Sequence, residues 1–142
     1  MSAAVYSLQS LLNDHQSGSS ELLKKTVDWV QSCLREGQKE KQLLANLEIL
    51  RRAHPAMALL QNFYNFFRKI PLNRSRVRAW LEMYQKHETA ACRNFADHLS
   101  YFKNVLVHSN SGLLSAALQS VPVQMNIFCT EGRPAYEGTK LA

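Results

Sequence analysis

The spacing of apolar residues changes after Phe102, and this change limits the folds that the chain can adopt. Before it, apolar side chains recur every three or four residues, as they do on the buried face of a helix. After it come a short apolar run over Asn104–His108, a small-residue helix over Ser111–Ser120 and a second run over Val123–Thr130. A strand, a helix and a strand in this order predict a parallel pair joined by a right-handed crossover.

Five helices are predicted before this point, at Ser2–Asn13, Ser20–Glu36, Gln38–Ala53, a segment after Pro55 that ends near "KIPLN", and Ser75–Phe102. Gly37 predicts the end of the second helix, because glycine readily adopts the backbone conformation that terminates helices. The predicted buried faces comprise Leu23, Val27, Val30 and Leu34; Leu43, Leu47 and Leu50; Leu59, Phe63, Phe66 and Ile70; and Trp80, Tyr84, Ala91, Phe95, Leu99 and Phe102. The predicted fold is mostly α, with a helical domain over residues 1–103 and a βαβ unit over residues 104–142.

Composition and charge narrow the classes of partner. With 46% hydrophobic and 20% charged residues, the chain has the composition of a globular protein. No apolar stretch reaches the ~20 residues of a membrane helix, and "MSAAVYSLQS" is unlike a signal peptide, so we predict a cytoplasmic protein without a membrane partner. The net charge of +6 favours anionic partners, although a solvated basic surface explains it equally well. The densest basic stretch, between Arg68 and Arg78, lacks interleaved aromatic residues, so direct nucleic-acid binding is not expected.

Cysteine and histidine spacing gives no sign of a metal site. The three cysteines are widely separated, and we expect Cys33 and Cys92 to be small buried residues. The histidines show no metal-ligand spacing either, so the sequence predicts no cofactor and no metal.

A two-stranded parallel sheet leaves both edges and much apolar surface open. Two explanations fit the sequence: the chain is part of a longer protein, or its strands pair with another chain. The second explanation predicts a homo- or hetero-oligomer.

Polar residues follow both predicted strands, at the edge where open α/β sheets bind ligands. The predicted ligand-binding residues are Ser109, Asn110, Ser111, Gly112, Glu131 and Arg133. The first four lead into a helix N-terminus, which favours anions, and Arg133 offers a planar charged group suited to phosphate. We therefore predict a phosphorylated small molecule as ligand. The alternative is that Asn110 or Ser111 merely caps the helix.

Two motifs resemble those of a known family. "VLVHSNSGLLSAAL" and "IFCTEGRPAYEGTKLA" are similar to the translation initiation factor 2B alpha/beta/delta-related family. The shared pattern falls on His108, Ser111, Thr130, Glu131, Arg133, Pro134 and Gly138. Upstream, "RRAHPAMALLQNF" is similar to a Pro-x-Met segment of that family's helical domain, so the resemblance covers the chain from about Ala53 onward.

The resemblance implies a helical domain followed by a Rossmann-like domain, with sugar phosphates or nucleotides bound at the strand ends. Residues 1–103 would then be the helical domain, and residues 104–142 the first βαβ unit of an incomplete Rossmann-like domain. The family contains regulatory subunits of a guanine-nucleotide exchange factor, methylthioribose-1-phosphate isomerase and ribose-1,5-bisphosphate isomerase. It also implies pairing between subunits through the Rossmann-like part and, for a regulatory member, translation-initiation-factor subunits as partners.

The chain departs from the isomerases of this family at three points. Their catalytic cysteine corresponds to Ser109, and a hydroxyl is a poorer proton donor than a thiol, whose pKa is about 8.5. Their later catalytic aspartate lies beyond this sequence, and the Arg-Gly phosphate loop of one isomerase has no counterpart near Arg51 and Arg52. We therefore predict a non-catalytic regulatory or binding protein. The alternatives are a sugar-phosphate isomerase with altered chemistry, an inactive part of one, and a helical interaction module.

Overall fold

The structure, a computed structural model, describes residues 6–108, 111–122 and 124–130. The chain splits after Leu81 into two compact units, and each is described by itself. The division falls within the longest helix, whereas the sequence places a domain boundary near residue 103, which stays a prediction. No helix among the described residues is long and apolar enough to cross a membrane.

The first unit is helical. It contains α1 (Leu8–Leu12), α2 (Ser19–Arg35), α3 (Glu40–Ala53), α4 (Ala58–Phe67) and the start of α5 (Arg74–Leu99). Helices α2, α3 and α4 pack on one another, and α1 packs on α2 and α3. The five helices predicted ahead of the first strand are therefore confirmed. The first helix is shorter than predicted, because it begins only after Ser7, whose hydroxyl accepts a hydrogen bond from Ser10 N.

The predicted end of the second helix is confirmed. Gly37 has a φ of 80°, and the N–H groups of Gly37 and Gln38 donate to the carbonyls of Leu34 and Cys33. This pair of bonds satisfies carbonyls at the helix end that otherwise have no partner.

The core of the first unit follows the predicted pattern except on α4. Leu23, Val27 and Val30 of α2 and all three predicted leucines of α3 are buried, whereas Leu34 is only half-buried. On α4 the buried residues are Leu60, Phe63 and Phe67, and the predicted face was wrong: Phe66 is exposed, and Leu59 and Ile70 are half-buried. Phe63 belongs to two helical stripes, the predicted one with Leu59 and Phe66 and another with Leu60 and Phe67. Packing on α2 and α3 buries the second stripe.

The predicted buried stripe of α5 was also wrong in part. Trp80 and Leu99 are buried, but Tyr84 is half-buried, and Ala91, Phe95 and Phe102 are exposed. The helix ends at Leu99, so Phe102 lies outside it. Periodicity identified the helix but not whether neighbouring elements cover its apolar face.

The second unit contains the rest of α5, β1 (Asn104–Val107), α6 (Gly112–Ser120) and β2 (Asn126–Cys129). The strands are parallel, as predicted, with Asn104 opposite Asn126 and Val107 opposite Cys129. The described part of β2 is shorter than the predicted run from Val123 to Thr130. One sheet face carries Val107, which is buried, while Leu106 and its partner Phe128 on the other face are exposed.

Candidate functional site

The in-register pairing of β1 and β2 brings their carboxyl ends together. The Thr130 N–H donates to the Val107 carbonyl at 2.9 Å, which extends the ladder one residue beyond β2. His108 directly follows β1, so it lies beside Thr130. The predicted pairing of the strands thus places these two polar residues, one after each strand, side by side.

The side chains of these residues are directly bonded. Thr130 Oγ1 lies 3.0 Å from His108 Nδ1 and 3.1 Å from the His108 carbonyl oxygen. Thr130 thereby links the residue after β1 to the end of β2. The sequence analysis did not predict this hydrogen bond. A signal for it was present, because each residue directly follows its strand and strands paired in this register place the two residues side by side.

Ser111 caps α6, as the alternative to ligand binding predicts. Its hydroxyl oxygen accepts a hydrogen bond from Leu114 N at 3.2 Å, and its carbonyl accepts one from Ser115 N at 2.9 Å. Within the described residues, the N–H groups of Gly112 and Leu113 make no hydrogen bond. They are the two donors that remain at this helix N-terminus, where partial positive charge favours an anion.

Gly112 leaves space at the start of α6. A Cβ atom added there meets no heavy atom within 4 Å among the described residues. The packing of the described chain therefore does not require glycine at this position. The other predicted ligand-binding residues, Ser109, Asn110, Glu131 and Arg133, lie outside the described residues, and their roles stay predictions.

Two ion-pair clusters in the first unit were not predicted. In one, Asp14 accepts hydrogen bonds from Lys25 Nζ at 2.9 Å, from the hydroxyl of Ser17 at 2.8 Å and from its N–H at 2.9 Å. Burial raises the pKa of Asp14, but the bonds from Lys25 and Ser17 outweigh it and hold that pKa well below its usual range. Lys25 also pairs with Glu21, so its charge is neutralised within the chain and this cluster has a structural role.

The second cluster joins α3 to α4. Arg51 donates to both carboxylate oxygens of Glu48 at 2.6 and 2.8 Å, and Arg52 donates to the same group. Hydrogen bonds from Arg51 and then Tyr64 lower the pKa of Glu48 to about 2. The Arg51 guanidinium also lies 5.0 Å from the centre of the Tyr64 ring, so the cluster fixes two helices together.

The cysteines carry no reactive arrangement within the described chain. Cys33 is buried, as predicted, and burial raises the pKa of its thiol, so the thiolate is disfavoured. Cys92 is only half-buried, which corrects the expectation of a buried residue. Cys129 is half-buried at the end of β2.

Comparisons with known proteins give one structural likeness. No protein-family model matches the chain, and no curated protein matches it significantly. The chain is similar to the crystal structure of translation initiation factor eIF-2B from Pyrococcus horikoshii OT3, with a TM-score of 0.69 and 23% identity, over 94% of this chain and 52% of that one. At this identity the likeness shows the fold, a mostly helical chain with a small parallel sheet. The chain spans about half the length of the protein it matches.

Proposed function

We propose that the chain is an initiation-factor-2B-like regulatory or binding protein, which recognises a sugar phosphate or a nucleotide at the strand ends. The observation that carries this proposal is the meeting of His108 and Thr130 at the strand ends, three residues before Ser111, the N-cap of α6. A ligand there would lie against two strand ends and a helix terminus, which is where open α/β sheets bind ligands.

The described residues supply the phosphate-binding part of the proposed site. The N–H groups of Gly112 and Leu113 are unbonded within the described chain, and the Ser111 hydroxyl keeps a proton to donate after it has accepted from Leu114. Gly112 leaves room for close approach of a phosphate oxygen. On this proposal Ser109 and Asn110 add donors, Arg133 adds a permanent positive charge, and Glu131 accepts hydrogen bonds from ligand hydroxyls.

The wider setting rests on the likeness to eIF-2B and on the sequence resemblance. On this proposal the protein acts in the cytoplasm with translation-initiation-factor subunits. It binds its ligand without converting it, because Ser109 replaces the thiol that the related isomerases use.

Isothermal titration calorimetry of the purified chain with ribose 5-phosphate and with AMP tests the ligand. We expect saturable binding that Arg133→Ala weakens by roughly tenfold or more, because a hydrogen bond to a charged group contributes about 1.5–3 kcal/mol. The matched control is Arg93→Ala, which removes an exposed arginine of α5 in the same unit and should leave binding unchanged.

Three outcomes would contradict the proposal. Absence of binding heat with both ribose 5-phosphate and AMP would show that the chain lacks the proposed ligand site. Equal losses in Arg133→Ala and Arg93→Ala would show non-specific attraction to positive charge. Turnover of ribose 1,5-bisphosphate or methylthioribose 1-phosphate would favour the isomerase alternative.

A further inference from the structure

The bonds between His108 and Thr130 determine which ring nitrogen of His108 carries a proton. The Thr130 hydroxyl has one proton and donates it to the His108 carbonyl oxygen at 3.1 Å. The hydroxyl oxygen of Thr130, Oγ1, also lies 3.0 Å from His108 Nδ1, and it has no second proton to donate. Both contacts are attractive only when Nδ1 carries a proton and donates to Thr130.

The other ring nitrogen of a neutral His108 is then a hydrogen-bond acceptor. The side chain is exposed, and its Nε2 atom makes no hydrogen bond within the described part of the chain. A neutral histidine that is protonated at Nδ1 has a lone pair on Nε2, and this lone pair can accept a hydrogen bond. This acceptor stands at the end of β1, and α6 begins four residues further along the chain with the unbonded N–H groups of Gly112 and Leu113 in its first turn.

We propose that His108 is a specificity-determining residue of this site and that its Nε2 atom accepts a hydrogen bond from a hydroxyl group of the ligand. Thr130 is a positioning residue that fixes the tautomer of His108. The inference rests on the proposed function and adds to it a requirement on the ligand. A compound that carries both a phosphate and a neighbouring hydroxyl satisfies donors and acceptor together, whereas inorganic phosphate has no hydroxyl outside the phosphate group that binds the donors.

The tautomer is tested without any ligand by long-range ¹H–¹⁵N correlation spectra of the full chain labelled at histidine. His108→Gln assigns the signal. We expect neutral His108 to be protonated at Nδ1, Thr130→Val to convert it to a mixture of tautomers, and Thr130→Ser to restore the wild-type pattern because serine retains the hydroxyl. A wild-type His108 protonated mainly at Nε2 would overturn the inference.

The role in specificity is tested by calorimetry with ribose 5-phosphate and inorganic phosphate as probes. His108→Asn keeps an amide N–H near the position of Nδ1 but removes the Nε2 acceptor. We expect the ratio of the two affinities to shift roughly three- to tenfold against ribose 5-phosphate, the range for loss of one neutral hydrogen bond. The control is His98→Asn, an exposed histidine of α5, which should leave the ratio unchanged.

The binding results separate this inference from the proposed function. Binding of neither probe would overturn the proposed function, and the ligand role of His108 with it. Binding of both probes with an unchanged ratio in His108→Asn would overturn the inference and leave the phosphate site standing.

Discussion

Asp14 holds the loop between α1 and α2 in place through four hydrogen bonds, from Gln16 N, from the N–H and hydroxyl of Ser17 and from Lys25 Nζ. Asp14→Ala removes all four and takes this partner away from buried Ser17 and half-buried Lys25. We expect the free energy of unfolding of the first unit to fall by about 2–3 kcal/mol. Urea denaturation followed by tryptophan fluorescence measures this, because both tryptophans, Trp29 and Trp80, are buried in that unit.

Asp28→Ala is the matched control for that measurement. Asp28 is an exposed aspartate of α2 that makes no ion pair with a described residue, so the expected change is within about 0.5 kcal/mol. A similar loss in both variants would show that the Asp14 cluster does not stabilise the unit.

Glu48 makes the stability of the first unit depend on pH. Its pKa is lowered to about 2 from an ordinary value of 4.5, chiefly by Arg51. A depressed pKa means stabilisation that is complete above pH 4.5 and is lost as pH falls toward 2. We expect the urea midpoint to fall across this window, and to fall less steeply in Glu48→Gln, because its neutral amide does not titrate.

Asp14 contributes in the same direction, so Glu48→Gln should reduce the pH dependence without abolishing it. Asp28→Asn serves as the control and should keep the wild-type slope. If Glu48→Gln also kept that slope, the bidentate pair with Arg51 would contribute nothing in solution.

At the scale of elements, local patterns predicted which helices and strands form better than which of their faces are buried. Gly37 ended α2 as predicted, because the requirement for a left-handed residue is local. The buried face of α4 was wrong because two stripes share Phe63, and only packing on neighbouring helices decides between them. The same limit explains α5, where Phe95 fits an apolar stripe and yet is exposed.

The candidate site was likewise predictable from the sequence only in part. Strand order and the parallel pairing follow from the pattern of elements, so the meeting of the two strand ends was predictable. The tautomer of His108 was not, because it depends on a hydroxyl 22 positions away whose distance only the fold determines. The cap formed by Ser111 was predicted as an alternative to ligand binding, and accepting the bond from Leu114 N does not use the proton of the Ser111 hydroxyl.

Ser111 allows helix capping and anion binding to be separated. Aspartate caps helices as well as serine does, but its negative charge repels phosphate, whereas alanine only removes the cap. We expect Ser111→Asp to keep the hydrogen-exchange protection of α6 amides and to weaken binding of ribose 5-phosphate about tenfold or more. Ser111→Ala should lower that protection about fivefold, which corresponds to about 1 kcal/mol.

Gln119→Glu controls for added charge, because it places a negative group near the other end of α6. It should leave binding nearly unchanged. Binding that survives in Ser111→Asp would place the ligand away from this helix terminus.

At the scale of the whole molecule, charge and exposed apolar surface are distributed unequally along the chain. Residues 1–81 contain twelve basic and six acidic side chains, and residues 82–142 contain five of each. The net charge of +6 therefore belongs to the first unit. The second unit is neutral and carries the exposed Leu106 and Phe128 on one sheet face, together with two strands whose outer edges are unpaired within the described residues.

This distribution favours contact between second units of two copies of the 142-residue chain, because apolar surface and open strand edges promote pairing and no net charge opposes it there. We predict self-association at micromolar concentrations, measured by light scattering. It should strengthen with salt, since salt screens repulsion between the basic first units.

The double variant Leu106→Lys with Phe128→Lys places charge on the open sheet face and should shift the chain toward monomer, since lysine on exposed strands opposes edge pairing. Met83→Lys changes an exposed apolar residue of α5 in the same unit and should leave association unchanged. A wild-type chain that stays monomeric at high salt would contradict the prediction. If the sheet variant and Met83→Lys reduced association equally, the association would depend on exposed apolar surface in general and not on the strands.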